Sequence, residues 1–234
     1  MNPEEQSTRA NTLLEQFYEP WLTPWRELRG ANPNLSIPMF LKTTPAYFAA
    51  KPRIVFVGQE THGWWIECAV DPSALGAKEI MDFYQGEVMA KYRLHSSSPF
   101  WRAIRNISDS VGLPHFPDSV MSANLFPCDS DKTQAPAAML ETMRSWKILP
   151  EELKILGPEV VVFFAGPVYA YNLGYYFGTP VEPSLSSQNL MQTYRPETGG
   201  WKGWVTYHPA SLQRSEHNAV LSEIARGIHQ VGMD

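Results

Sequence analysis

The spacing of apolar residues along the chain alternates between a pattern typical of strands and a pattern typical of helices. Short apolar runs bounded by turn residues predict buried strands, at residues 53–58, 119–125, 159–164 and 203–207. Apolar residues at helical spacing predict helices, at residues 3–18, 74–94, 99–111, 138–156 with a break at Pro150, 166–177 and 215–231. Four prolines between residues 20 and 38 predict an irregular segment, residues 45–50 a helix or turn, and the stretch after residue 177 a loop.

Alternating strands and helices predict an α/β fold. We expect a three-layer sandwich, with a central, mainly parallel, four-stranded sheet and helices on both faces. No linker divides the chain, so we expect one domain over residues 1–234, with residues 1–50 as a helical and irregular segment packed on it. The start of the chain lacks the pattern of a signal peptide, and the low-charge stretch 160–177 is broken by glycine and proline. We therefore expect a cytoplasmic protein that binds no membrane.

Composition and charge narrow the classes of protein to consider. The 234 residues are 44% hydrophobic and 18% charged, which excludes an intrinsically disordered chain. The formal net charge of -5 is unlike that of a general nucleic-acid coat protein, although an enzyme can still use a local basic face. Two cysteines without a CxxC pair exclude a disulfide framework, a four-cysteine cluster and the usual zinc sites, so we expect no metal and no cofactor.

Polar and aromatic side chains follow the carboxyl end of each predicted strand. In open α/β sheets, ligands bind outside these ends. The segments concerned are residues 58–65, 124–129, 165–167 and 208–214. We therefore predict that Glu60, Asn124 and His208 surround one pocket.

Each of these residues also has an ordinary structural interpretation. Glu60 can cap a helix, since acidic residues favour helix N-termini. Asn124 and His208 can stabilise turns, and Trp64 and Trp65 can belong to the core. Their placement after different strands favours a shared site over these separate interpretations.

Four short motifs stand in order along the chain, at residues 57–62, 99–104, 122–125 and 207–212. They resemble motifs of the uracil-DNA glycosylase superfamily. Residues 57–62 (Val-Gly-Gln-Glu-Thr-His) resemble its first motif, Gly-Gln-Asp-Pro-Tyr-His, and residues 207–212 (Tyr-His-Pro-Ala-Ser-Leu) resemble its last, His-Pro-Ser-Pro-Leu. Residues 122–125 (Ser-Ala-Asn-Leu) stand where the family has a strand ending in a base-reading Asn. Residues 99–104 resemble a helix with a Phe-Trp pair. The resemblance covers residues 54–214, and the iron–sulfur branches are excluded because their four cysteines are missing.

The resemblance implies roles for matching positions. Gln59 and Glu60 would hold and activate the attacking water, Asn124 would read the base edge, and His208 would donate a hydrogen bond to the departing base. The stacking surface would be Trp64 or Trp65, between which the sequence does not choose. The implied base-binding set also includes His62, and the implied DNA-binding set is Ser211, Leu212 and Arg214, with Leu212 as the wedge that fills the gap of a flipped base.

The chain departs from the best-known form of the family at several of these positions. Glu60 stands in place of Asp, Thr61 in place of Pro, and His62 in place of the Tyr that excludes thymine. Ala210 stands in place of a phosphate-contacting Ser, and Gly63 in place of the motif's final His. These differences leave the preferred base open.

Three functions remain to be distinguished. The first is a monomeric DNA-repair glycosylase that removes uracil or a related damaged base from DNA. The second is a relative that binds a nucleobase or nucleic acid without cleaving it, and the third is an enzyme of free nucleosides. Basic residues between positions 91 and 105 form either a phosphate-facing strip or a solvated helix face.

Overall fold

A single five-stranded sheet forms the centre of the chain. In this computed structural model, residues 1–61, 74–89, 98–130, 135–179, 190–212 and 214–231 are described. The strands are β1 (Ile54–Gly58), β2 (Val120–Asn124), β3 (Val160–Phe163), β4 (Met191–Tyr194) and β5 (Lys202–Thr206). They lie in the order β2-β1-β3-β5-β4, and β4 alone among them pairs antiparallel to its neighbour. The predicted α/β class and mainly parallel sheet are thus confirmed.

The prediction of four strands was wrong by one, because β4 lies in the stretch after residue 177 that the sequence predicts as a loop. Its sequence, Met-Gln-Thr-Tyr, is not a continuous apolar run, and within it only Tyr194 is buried. An antiparallel edge strand on an otherwise parallel sheet is common, and such a strand need not be apolar on both faces. By contrast, every residue of β1 and β3 is buried. Both faces of the sheet's centre are therefore covered by other parts of the chain, as layers of helices on the sheet require.

Nine α-helices account for most of the remaining regular structure in the described part of the chain. They are α1 (Pro3–Tyr18), α2 (Leu22–Ala31), α3 (Pro45–Ala49), α4 (Ala77–Phe83), α5 (Pro99–Val111), α6 (Ala137–Ser145), α7 (Ile148–Leu156), α8 (Gly166–Phe177) and α9 (Arg214–Val231). Short 3₁₀ turns lie at Glu19–Trp21 and Pro209–Ser211, and a π-helical turn, Tyr84–Met89, follows α4. No helix among the described residues has both the length and the apolar character needed to cross a bilayer.

Three predicted helices have the bounds given by their sequence signals. Proline is the first residue of α1 and of α5, and the side chain of Asn2 accepts a hydrogen bond from the Glu5 N–H at 2.9 Å. Proline fits the first helical position because no intrahelical bond is needed from its nitrogen. Helix α8 likewise spans the predicted residues 166–177.

Other helix predictions were wrong where proline was taken as a helix breaker. Pro24 lies in the first turn of α2, inside the segment predicted to be irregular, and Pro150 lies in the first turn of α7. The first four backbone N–H groups of a helix have no intrahelical partner, so proline is tolerated there. The break predicted at Pro150 instead lies before Ile148, where Lys147 has a left-handed backbone with φ of 52°. The predicted helix 74–94 begins at Ala77, and its last five residues lie outside the described ranges.

A buried carboxyl group joins α1 to α7. The Tyr18 hydroxyl donates to Glu152 Oε1 at 2.6 Å and accepts a hydrogen bond from the Leu41 N–H at 3.1 Å. The Tyr18 ring stacks on Phe40, with centroids 4.1 Å apart. Burial raises the pKa of Glu152 to about 8, an increase that the Tyr18 hydrogen bond partly offsets.

Ionisation of Glu152 should therefore lower the free energy of unfolding as the pH rises. Its folded pKa of about 8 lies above its ordinary value of 4.5, so the folded chain holds a proton that the unfolded chain releases between these values. The free energy of unfolding falls across this interval, and the decrease between pH 6 and pH 9 is about 2–3 kcal/mol. Glu152→Gln should keep the contact with Tyr18 and remove this loss. Denaturant unfolding of both proteins at the two pH values measures the difference; equal losses would contradict the assignment.

Candidate active site at the carboxyl ends of the strands

The sheet has a topological switch point beside β1. The chain passes from β1 to β2 on one side of it and later to β3 on the other side. Ligands of open α/β sheets bind at such points, outside the carboxyl ends of the strands. Gln59 follows β1 and reaches the end of the neighbouring strand β3. Its Nε2 donates a hydrogen bond to the Ala165 carbonyl, beyond the end of β3, at 2.7 Å.

The carboxylate of Glu60 is held by two donors from distant parts of the chain. The hydroxyl of Tyr169, in the first turn of α8, donates to Oε1, and the Ala135 N–H donates to Oε2 at 3.1 Å. Each carboxylate oxygen has two lone pairs, so each can accept one further hydrogen bond. The carboxyl group is thus fixed in orientation while keeping the capacity to bind a water molecule.

Burial brings the acidity of Glu60 into the neutral range. The loss of solvent is the main reason that its pKa is raised to about 7; the hydrogen bonds from Tyr169 and Ala135 oppose this increase, and the charge of Asp129 adds to it. Asp129 is itself buried and accepts a hydrogen bond from the Thr61 hydroxyl at 2.5 Å. A carboxyl group whose pKa lies near the working pH is suited to take up a proton during catalysis.

Asn124 and Phe100 both border Gly58 at the end of β1. Asn124 is the last residue of β2 and pairs with Gly58. A Cβ atom at Gly58 would lie 2.5 Å from Asn124 Oδ1 and 3.3 Å from the Phe100 ring, so glycine is what allows both side chains to occupy this place. Asn124 Nδ2 lies 3.7 Å from the Met39 sulfur, a weak acceptor.

His208 stacks on the same phenylalanine. Its ring and that of Phe100 are 6.0 Å apart and tilted by 6°. His208 Nδ1 accepts a hydrogen bond from the Ala210 N–H at 3.3 Å, within the turn Pro209–Ser211. In a neutral imidazole one nitrogen accepts and the other carries the proton. We therefore assign the proton to Nε2, which makes that atom a hydrogen-bond donor.

The predicted catalytic and base-reading residues lie at one edge of the sheet. Phe100 contacts His208 and borders the space taken by Asn124. The β1 and β5 ends meet at Gly166, where a Cβ atom would lie 3.8 Å from Gln59 Nε2 and 4.0 Å from the Tyr207 ring. The structure thus brings together the ends of β1, β2, β3 and β5.

The remaining predicted residues are placed only in part. Ser211 is exposed and Leu212 is half-buried, immediately after His208, and the Ser211 N–H donates to the His208 carbonyl at 2.8 Å. Arg214 is the first residue of α9, and its side chain is outside the description. His62, Trp64 and Trp65 lie outside the described residues, so their roles remain predictions.

Two residues of this site, Phe100 and Tyr169, had no role in the sequence prediction. Phe100 belongs to the motif 99–104. Its position in the first turn of α5 was the only sequence feature that could have indicated a role in the site. Tyr169 stands in the first turn of the helix that follows β3. Residues in the first turn after a strand end lie near the sheet edge, which is a signal that applies to Tyr169.

Removing the Tyr169 hydroxyl should raise the pKa of Glu60. The hydroxyl bonds the charged form, and a hydrogen bond to a charged group contributes about 1.5–3 kcal/mol. Tyr169→Phe should therefore raise this pKa by about 1–2 pH units. Carboxyl ¹³C NMR titration of Glu60 measures the effect, with Tyr171→Phe, an exposed position on the same helix, as the control. An unchanged pKa in Tyr169→Phe would contradict the assigned contact.

Within the described ranges, no three His, Cys, Asp or Glu side chains cluster as a metal site would require. Comparison with models of known protein families and with curated proteins finds no match for the chain.

Proposed function

We propose that the chain is a DNA glycosylase that hydrolyses the N-glycosidic bond of uracil or a related damaged base, after flipping that base out of the DNA. One observation carries the proposal: Asn124 and Phe100 both border Gly58 at the end of β1, and His208 stacks on Phe100, at the sheet edge to which Glu60 also belongs. An amide, a flat ring and an imidazole donor are the groups needed to bind a base and stabilise it as it leaves. The resemblance of the four motifs to the uracil-DNA glycosylase superfamily supports the same function and a fold of that family.

The base would be held by three contacts. Flipped bases are read by hydrogen bonds to their Watson–Crick edge and by stacking on apolar side chains. The Asn124 amide oxygen can accept from uracil N3–H while its NH₂ group donates to O4. His208 Nε2–H would donate to O2, where negative charge develops as the bond breaks. The tautomer set by Ala210 supports this role, because it puts the proton on the nitrogen that must donate.

Glu60 and Gln59 would act on the sugar and the attacking water. Cleavage of the bond between C1′ and N1 leaves an oxocarbenium-like sugar and sends the electron pair to the base. A carboxylate beside the sugar stabilises the cation and orients water, as in glycoside hydrolysis. The water oxygen would bond to C1′, and Glu60 would take up the proton released. The two hydrogen bonds that hold the carboxylate support this function, since they fix its direction before the reaction.

Leu212 and Ser211 would contact the DNA. Both follow His208 within the turn at the end of β5 and retain solvent exposure. Apolar side chains inserted between base steps unstack them and stabilise a deformed duplex. Leu212 would thus fill the gap while His208 contacts the extruded base, and Arg214 would add a phosphate contact.

A second candidate function is binding of a nucleobase without cleavage. It is favoured by the formal net charge of -5, since proteins with broad nucleic-acid-binding surfaces are usually basic. Incubation with an oligonucleotide that contains a single uracil, followed by alkali and a gel, separates the two. Strand scission at the uracil supports the glycosylase, and retention of the oligonucleotide without scission supports the binder.

Asn124→Ala should reduce discrimination for the damaged base more than it reduces DNA affinity. The loss of a bidentate contact to a base typically lowers discrimination by about 1–3 kcal/mol. Competition between uracil-containing and undamaged oligonucleotides of the same sequence measures the ratio. Asn34→Ala, at an exposed position between α2 and α3, provides the control. Equal loss of affinity for both oligonucleotides would contradict the role of Asn124.

A further inference from the structure

One face of α8 exposes aromatic and apolar side chains to solvent. Val168, Tyr171 and Tyr175 are 66%, 57% and 50% exposed, although most large apolar side chains of the described chain are buried. Their spacing of three and four residues puts them on the same side of the helix. We call these three residues the tyrosine face.

Two cations lie on the rings of the tyrosine face. The Arg144 guanidinium carbon is 5.5 Å from the Tyr171 ring centroid and 5.4 Å from that of Tyr175, so it lies beside both rings. Lys147 Nζ is 5.5 Å from the Tyr175 centroid. Arg144 also lies 3.5 Å from the carboxylate of the exposed Glu141, and α8 itself contains no charged residue. The tyrosine face is therefore aromatic with a positive border, on a chain whose net charge is -5.

We propose that the tyrosine face binds a single-stranded stretch of nucleic acid. Proteins that bind single strands without sequence preference combine cationic groups along the backbone with aromatic side chains on which bases stack. Tyr171 and Tyr175 supply two rings one helical turn apart, and Arg144 and Lys147 supply the charges for phosphates. An acidic protein segment would be attracted by the same cations, but it has no flat groups to match two exposed rings.

The tyrosine face belongs to the helix that also holds Glu60. Tyr169, whose hydroxyl donates to Glu60, lies six residues before Tyr175. The two positions are about 9 Å apart along the axis, at 1.5 Å per residue, and they lie on different sides of a helix about 10–12 Å in diameter. A strand on the tyrosine face would thus lie within a few nucleotides of the sheet edge. Only this last step, that the bound strand flanks the excised base, rests on the proposed function.

Binding of a fluorescent single-stranded 16-mer without uracil, followed by anisotropy at low salt, tests the proposal. The double variant Tyr171→Ala/Tyr175→Ala should bind at least about 10-fold more weakly, since stacking contributes about 1–3 kcal/mol per base. Tyr171→Phe/Tyr175→Phe keeps both rings and should bind within about 2-fold of the natural chain. Leu13→Ala, at an exposed apolar position on α1, serves as a surface control. Arg144→Gln should reduce the slope of log affinity against log salt by about 0.7.

Two results would overturn the inference. The first is unchanged affinity for the 16-mer in the double Ala variant. The second is an equal loss of poly-glutamate binding in that variant, which would indicate a general anion surface. The test is separable from the proposed function. Uracil excision without any effect of the tyrosines on binding would refute the inference alone. Tyrosine-dependent binding without excision would support the inference and refute the glycosylase.

Discussion

Glu60→Gln is expected to lower the single-turnover rate of uracil excision by about 10²–10⁴-fold, the usual range for loss of a general base. The substitution should keep the local structure. The Gln amide oxygen can accept the hydrogen bond from Ala135, and its NH₂ group can donate to the Tyr169 oxygen. What the amide cannot do is take up a proton from the attacking water or stabilise the sugar cation with a full charge.

The natural chain should show the matching pH dependence. Because the active form of Glu60 is the carboxylate and its pKa is about 7, the rate should rise as pH passes through 7 and level off above it. Glu152→Gln is the matched control, since Glu152 is a second buried carboxyl group with a raised pKa whose hydrogen-bond partner is Tyr18 of α1, and its removal should leave the profile unchanged. A rate within a few-fold of the natural one in Glu60→Gln, or a profile that is flat between pH 6 and pH 8, would contradict the role of this carboxylate.

His208→Ala is expected to lower the same rate by about 10²–10³-fold, the effect of removing one donor from a developing anion. The base carries little negative charge before the bond breaks and much of it in the transition state. A donor to that oxygen therefore stabilises the transition state more than the bound substrate, and such a difference accelerates the chemical step. Affinity for DNA should remain nearly unchanged.

The structure suggests a second variant at this position. His208→Ala removes both the donor and the ring that stacks on Phe100. His208→Gln restores an N–H donor without the ring, so it should recover part of the lost rate if donation is the main role. Thermal unfolding of both variants shows whether the turn Pro209–Ser211 is preserved. A folded His208→Ala chain with an unchanged excision rate would contradict the role of this residue.

The elements predicted from sequence were those whose signals are local. Helices α1, α5 and α8 begin at residues marked by Pro or Gly-Pro, and the buried strands are short runs of β-branched and aromatic residues. Strand β4 was missed because it pairs at the edge and carries polar residues. Its presence depends on the pairing with β5, which adjacent residues do not specify.

The candidate site was also predictable from sequence only in part. The rule for strand ends was enough to put Glu60, Asn124 and His208 at one edge of the sheet, after β1, at the end of β2 and after β5. That they surround one pocket stays a prediction. Most partners of these residues were not predictable, because they come from distant parts of the chain: Ala135 and Met39 from loops, and Tyr169 and Phe100 from helices. Tyr169 is 109 positions from Glu60, and the contact depends on how α8 packs on the sheet. Phe100, whose ring stacks on His208, was likewise not predicted. Trp64 and Trp65 lie outside the described residues, so their stacking role stays a prediction.

The most direct test of the account is the amount of free base released from a double-stranded oligonucleotide with one uracil. The chain and its Glu60→Gln/His208→Ala double variant would be purified from a host that lacks its own uracil-DNA glycosylase, and the base measured by mass spectrometry at pH 8. The account predicts close to one uracil released per oligonucleotide by the natural chain and none above background by the double variant. Absence of uracil from the natural reaction, or equal release by both proteins, would contradict the assignment of glycosylase chemistry to this site.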